Sequence, residues 1–226
     1  MDNIEIIKKE ATNLLDSDNS GHGMEHVSRV ARIAEFIAEK ERANKNITIA
    51  IALLHDADDY KLFGKESADN LTNTKKILEK TSFSKMEMEA IIESIRSIGY
   101  SKRLDGISPQ ILEGKIVSDA DMLDAMGANG ILRSFQYNIA HGNPFFDRNL
   151  FPSIKMDTDA YKKNQKGTSV NHMFEKMLKL KNLMLTKTGK IEAKKRHNFI
   201  VEFLKEYFYE EDAQEWLDYL NDYLSH

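Results

Sequence analysis

Six apolar residues, Ile49 to Leu54, run without a break into His55 and Asp56, and Asp58 and Asp59 follow at once in IAIALLHDADDY. A stretch this apolar reads as the buried end of a helix. Carrying an imidazole and a carboxylate into such a place costs several kcal/mol unless each is paired, hydrogen-bonded or bound to a metal. Two readings follow. One is a buried His–Asp hydrogen bond that closes the helix, and the other is part of a metal site.

Helical periodicity dominates the rest of the chain. Ile4, Ile7, Ala11, Leu14 and Leu15 make one face of a first helix, which ends in the polar turn Asp16 to Gly21. A second runs from about Met24 to Lys40 with Val27, Val30, Ala31, Ala34, Ile37 and Ala38 inward, and the apolar run is the third, from about Asn46 into His55. Further helices are expected near Ala68–Lys80 and Ser84–Ile98, the latter opened by Ser84 with Glu87 three residues on. After a loop at Gly99–Pro109 come Gln110–Gly127, Ile131–Ala140, Val170–Leu185, Lys190–Phe208 and Asp212–Leu224. No alternating strand pattern stands out, so the expected fold class is all-α. His141 to Ser169 is the least periodic part, and a loop of that length inside a compact domain is either functional, such as a lid over a site, or a plain crossing. The expected layout is one domain over residues 1–226: a core at about 21–141, the loop 142–169, and C-terminal helices 170–224 as an extension.

Composition excludes several classes. A formal net charge of −4 over 226 residues does not suit a general nucleic-acid binder, although local Lys and Arg can still hold a small phosphorylated substrate. The absence of cysteine removes disulfides, thiolate metal sites and Cys nucleophiles, and fits a reducing compartment. The acidic, amphipathic start MDNIEIIKKEATNLL lacks a signal-peptide layout, and no apolar run approaches the ~18 residues that span a bilayer. The expectation is a cytoplasmic protein without membrane or nucleic-acid partners. Amphipathic helices at both ends permit a homodimer.

Beyond His55 and Asp56, two other stretches offer chemistry. The second helix opens with GHGMEHVSRV, where His22 and His26 are four apart and Arg29 is three beyond His26. Gly21 and Gly23 argue against His22 sharing that face. Far downstream, EGKIVSDADMLDAMGANG places Asp119, Asp121 and Asp124 on an otherwise apolar helix, with Asp121 and Asp124 neighbours on one face. Carboxylates are poor helix-interior residues, so three in six positions need a reason. For Asp119 the plainer reading is a solvated stripe opposite the core.

The order H…HD…D, with HVSRV around the first His, ALLHD around the second and A-D-x-L at Ala120 to Leu123, resembles the HD-domain metal-dependent phosphohydrolase superfamily. EGKIVSDADMLDAMGANGI, GNPFFD and HMFEKMLKLKNLMLTKTG further resemble its YpgQ/YedJ-like bacterial branch, so the similarity covers roughly Gly21 to Phe208. It implies an HD-domain helical bundle with one divalent metal held by His26, His55, Asp56 and Asp121. Two imidazoles and two carboxylates leave open positions on a six-coordinate ion, which can polarise a phosphoryl group and activate water as hydroxide. Such ligation suits Mn²⁺, the expected ion, with Fe²⁺, Co²⁺, Ni²⁺, Mg²⁺ or Zn²⁺ as alternatives. Two-metal members carry extra histidines between the dyad and the last Asp, and this chain has none from Asp56 to Asp121. Many relatives also carry Asp directly after the His at position 22, where this chain has Gly23.

The same resemblance implies that Asp59, in the place of a carboxylate that handles the attacking water in related nucleotidases and alarmone hydrolases, is the catalytic residue; its alternative is an N-cap at Lys61. Asp124 is either the partner of a ligating His or of bound water, or a core-edge Asp paired with Arg29. Cations for the substrate phosphates are Arg29 and Lys61, with His172 and Lys176 on a later helix, and Lys115 and Arg133 as further candidates. The expected activity is hydrolysis of (deoxy)nucleoside triphosphates to monophosphate and pyrophosphate. The rivals are a 5′-nucleotidase acting on monophosphates, a non-catalytic metal- or nucleotide-binding module, and a helical interaction protein without metal.

Overall fold

The computed structural model describes residues 2–15, 23–153 and 167–225, and among them there are helices and no strands. Contacts divide the chain into two compact units, Met1–Asp124 with Leu183–Lys190, and Ala125–Asn182 with Ile191–His226, where the sequence reading has one domain with an extension.

In the first unit the apolar run becomes the central helix. α1 (Asn3–Leu15), α2 (Met24–Glu41), α6 (Lys85–Arg96) and α8 (Leu112–Asp124) all pack on α3 (Lys45–Leu54). Asn44 starts α3 by accepting hydrogen bonds from the Asn46 and Ile47 amides, and Thr48 and Ala50–Leu54 are buried on every side. α1 turns Ile7, Ala11 and Leu15 inward, and α2 turns His26, Val27, Val30, Ala34, Ile37 and Ala38 inward. The expected capping box at Ser84 and Glu87 is formed at the start of α6.

The segment between α3 and α6 departs from expectation. One helix was expected at Ala68–Lys80, but the chain forms α4 (Tyr60–Asn70) and α5 (Thr72–Leu78), separated by Leu71 at φ 51. No α4 residue is buried, so there is no apolar face for a periodicity to reveal. A short α7 (Tyr100–Leu104) lies inside the stretch read as a loop, and α8 is shorter at both ends than Gln110–Gly127.

Asp119 corrects the sequence reading outright. It is not on a solvated stripe; it is fully buried. Its carboxylate accepts from the Leu185 amide (2.8 Å), the Thr186 amide (2.8 Å) and Thr186 Oγ1 (2.7 Å). Burial raises its pKa, and these three donors oppose that rise. Glu41, the last residue of α2, accepts from the Thr188 amide at 2.7 Å. Two carboxylates thus satisfy N–H groups around the start of α11 (Lys187–Glu210), and Leu183–Lys190 is tied to the first unit. Gly189 is required there, because a Cβ would lie 2.8 Å from Thr186 Oγ1 and press on the Asp119 carboxylate.

The second unit contains α9 (Gly127–Ala140), α10 (Ser169–Glu175), a 3-10 turn at Met177–Leu183, most of α11, and α12 (Gln214–Ser225). The single helix expected at Val170–Leu185 is therefore two pieces. Phe174, Phe208 and Trp216 are fully buried. Residues from the start of the aperiodic stretch pack on them: Phe146 lies 5.1 Å from Trp216, and Phe151 stacks on it at 4.4 Å. Trp216 Nε1 donates to the Arg148 carbonyl (3.0 Å), and Arg148 pairs with Glu215. The remainder of the expected lid, residues 154–166, lies outside the described residues, as does His22.

Asp119→Ala strands buried amides and a hydroxyl, and urea denaturation is expected to show a loss of about 2–4 kcal/mol. His197 in the second unit is held neutral, its pKa pushed down to about 4 by burial and by Lys181, whose Nζ lies 3.0 Å from its Nε2. A folded pKa below the unfolded value means that the unfolded chain takes up the proton first. Stability from this site is full above about pH 6.5 and is lost as pH falls towards 4. His197→Gln should flatten the fall in melting temperature across that window.

Candidate metal centre

Three elements bring the donors together. His26 sits in the first turn of α2, His55 is the C-cap of α3, and Asp121 lies near the end of α8. The helix does not continue past Leu54; Asp56 to Asp59 form a tight turn, with the Ala57 amide on the Leu54 carbonyl (3.0 Å) and the Asp59 amide on the Asp56 carbonyl (3.1 Å). His26, His55 and Asp56 each offer a ligand atom within 4.8 Å of the others. His26 Nε2 and His55 Nε2 are 3.3 Å apart, and Asp56 Oδ2 lies 3.5 Å from each. Asp121 Oδ1 is 3.5 Å from His26 Nε2 and 4.0 Å from His55 Nε2.

The outward ring nitrogens explain why the inner ones meet. His55 Nδ1 is 2.8 Å from the Ala52 carbonyl, which can only accept, so Nδ1 carries a proton. His26 Nδ1 is 2.7 Å from Asp124 Oδ2, and Asp124 also accepts from Arg29 Nε (2.7 Å) and Arg29 Nη2 (3.2 Å). That carboxylate is fully buried and charge-compensated by Arg29, whose own pKa is raised chiefly by the hydrogen bond to Asp124. Nδ1 of His26 is therefore also the donor. With Nδ1 of each ring turned to an acceptor, the two Nε2 atoms are the ones that face each other, beside two carboxylate oxygens. Polar atoms this close need protons or a cation among them, and His26, His55 and Asp56 have the spacing of a metal site, with Asp121 Oδ1 near both imidazoles. Cis ligands on an ion with ~2.1 Å bonds stand ~3.0 Å apart. The separations within His26, His55 and Asp56 come near that, while Asp121 lies outside this compact group. The side chains of His26 and His55 are 3% and 2% exposed against 14% for Asp56 and 25% for Asp121, so the site opens on its carboxylate side.

The other expected site residues divide. Both readings of Asp124 hold at once: it holds the ring of His26 and it pairs with Arg29. Arg29 thus commits Nε and Nη2 to Asp124. Asp59 caps α4 through Oδ1, which accepts from the Lys61 amide at 2.9 Å, while the Lys61 side chain is exposed. His172 and Lys176 belong to the second unit, at α10 and its C-cap. Burial, Lys176 and Arg133 push the His172 pKa down to about 3, so its imidazole is neutral near pH 7. Sequence reasoning missed Asp58, which is buried, and the anchoring by Asp119. The only signal for either was an acidic residue in an apolar setting.

Comparison with known proteins identifies the family. The HD domain family matches residues 23–126, which contain His26, His55, Asp56 and Asp121. The chain is 32% identical over 221 residues to YpgQ of Bacillus subtilis (strain 168), covering 89% of this chain and 90% of that one. The chain belongs to the HD-domain superfamily. Among solved structures it is similar to a Lactobacillus plantarum protein (35% identity, TM-score 0.79, 93% and 97% of the two chains). It is similar also to an HD-superfamily hydrolase of Bacillus thuringiensis (32% identity, TM-score 0.72, 93% and 97%). A third is Bacillus subtilis YpgQ in complex with ADP (27% identity, TM-score 0.66, 92% and 94%).

Because Asp124 fixes the tautomer and aim of His26, Asp124→Asn is expected to weaken Mn²⁺ binding about 10–100-fold. Titration of the purified protein with Mn²⁺, followed by the electron paramagnetic resonance signal of the free ion, measures it.

Proposed function

We propose that this protein is a metal-dependent nucleotide phosphohydrolase that converts (deoxy)nucleoside triphosphates to monophosphate and pyrophosphate. The observation that carries the reading is the convergence of His26 Nε2, His55 Nε2, Asp56 Oδ2 and Asp121 Oδ1 with the histidine Nδ1 atoms committed elsewhere. A divalent ion, Mn²⁺ by preference, supplies charge to polarise a phosphoryl oxygen and to activate water. That a relative, Bacillus subtilis YpgQ, was crystallised with ADP supports a nucleotide with a phosphoanhydride chain.

The chain's own residues take the remaining tasks. Asp56 and Asp121 lie on the exposed side of the donor set, where a phosphate can approach. Asp59 follows Asp56 in the same turn, and with Oδ1 on the Lys61 amide its other oxygen would orient the attacking water and accept its proton. Lys61, exposed and two residues further on, is the first choice for the phosphates, since Arg29 is engaged by Asp124. For His172 and Lys176, in the second unit, a substrate role rests on the family resemblance alone.

Asp56→Ala is expected to keep the helical circular dichroism spectrum while losing metal and lowering turnover more than about 100-fold, the upper end of what losing a supporting partner costs. The substrate is tested by product analysis with Mn²⁺ on a panel of nucleoside mono-, di- and triphosphates. Pyrophosphate plus monophosphate is the expected result. Orthophosphate released from monophosphates would mark a 5′-nucleotidase, and no turnover with any substrate or metal would mark a binding module.

A further inference from the structure

The turn that carries Asp56 and Asp59 has no helix of its own. It lies between the end of α3 at Leu54 and the start of α4 at Tyr60. What holds it comes from α5, with Ser67 of α4. Asp58 is only 5% exposed, and its Oδ1 accepts from Ser67 Oγ (2.5 Å) and the Asn73 amide (2.8 Å), while Oδ2 accepts from the Thr74 amide (2.9 Å). Asn73 returns a bond, its Nδ2 donating to the Ala57 carbonyl at 2.9 Å. The turn is thereby gripped at two consecutive residues, Ala57 and Asp58.

α5 needs a cap that its own sequence does not provide. Its N-cap position is Leu71, in the left-handed region at φ 51 and with no side-chain acceptor. Asn73 and Thr74 have N–H groups in the first turn, where no intrahelical carbonyl reaches. A carboxylate satisfies them best, since the helix N-terminus favours negative charge. Here that carboxylate belongs to the turn beside the metal centre.

We infer that Asp58 is a positioning residue: clamped to α5 by Asn73 and Thr74, it fixes the turn so that Asp56 meets His26 and His55 and Asp59 stands beside them. This rests on the metal-centre reading above. A flexible turn would let the Asp56 carboxylate wander, and the ion would have to order it on binding, which weakens affinity. Asp58 itself touches neither the donor set nor, on this account, the substrate.

The test separates positioning from plain stability. Mn²⁺ affinity is measured well below the melting temperature for the wild type, Asp58→Asn and Asn73→Ala, with Ile7→Val in α1 as a control that lowers stability without touching the turn. Asp58→Asn keeps the shape but cannot accept from all three donors, and about 10-fold weaker Mn²⁺ binding is expected. Asn73→Ala, which leaves no buried charge unpaired, is expected to weaken binding in the same direction, and Ile7→Val to bind as the wild type does. If Asp58→Asn and Asn73→Ala melt earlier yet bind Mn²⁺ as tightly as the wild type, Asp58 is only a cap for α5 and the inference fails. Should Asp58→Asn not fold, Asn73→Ala decides alone. A wild type that binds no divalent ion would overturn the metal-centre reading itself, and this inference with it.

Discussion

Two imidazole Nε2 atoms facing each other across 3.3 Å among carboxylates are an arrangement that a chain must be made to hold. The constraint lies on the far side of each ring. The Ala52 carbonyl takes the proton of His55 Nδ1, and Asp124, neutralised by Arg29, takes that of His26 Nδ1. Once those bonds are made the Nε2 atoms are the ones left to face inward, and with Asp56 and Asp121 beside them the cluster suits a divalent cation. Burial of the outer partners sharpens this, because electrostatic interactions weaken least where water is excluded. The apolar wall of α3 supplies that exclusion, with Ala50 to Leu54 buried up to the residue before His55.

Around this centre the first unit uses buried carboxylates as fasteners. Asp124 secures a ring, Asp58 secures a turn, and Asp119 secures the segment Leu183–Lys190. Each is matched by two or more donors, which is what allows a carboxylate to leave water at all. In the second unit the same duty falls to aromatic packing, where Trp216 gathers Phe146, Phe151 and Phe208 and donates to the Arg148 carbonyl.

The sequence showed the parts that are local. The apolar run of α3 ending on His55 and Asp56, the inward face of α2 and the pairing of Asp121 with Asp124 on one helix face were all legible, because a helix turns spacing into direction. The fate of Asp119 and Asp58 was not. The partners of Asp119 come some 66 residues later, and nothing in EGKIVSDAD distinguishes a solvated acid from one buried against a distant helix start. α4 escaped notice because it buries no residue, and the break at Leu71 because a left-handed leucine leaves no compositional mark. The grouping of Leu183–Lys190 with the first unit was hidden for the same reason: it depends on Asp119 and Glu41, not on neighbours in sequence.

Anomalous diffraction from Mn²⁺-soaked crystals tests the central claim most directly. One manganese peak is expected within bonding distance of His26 Nε2 and His55 Nε2, with carboxylate oxygens of Asp56 and Asp121 completing its protein ligands. A peak elsewhere, or imidazoles turned away from each other with no peak between them, would contradict it.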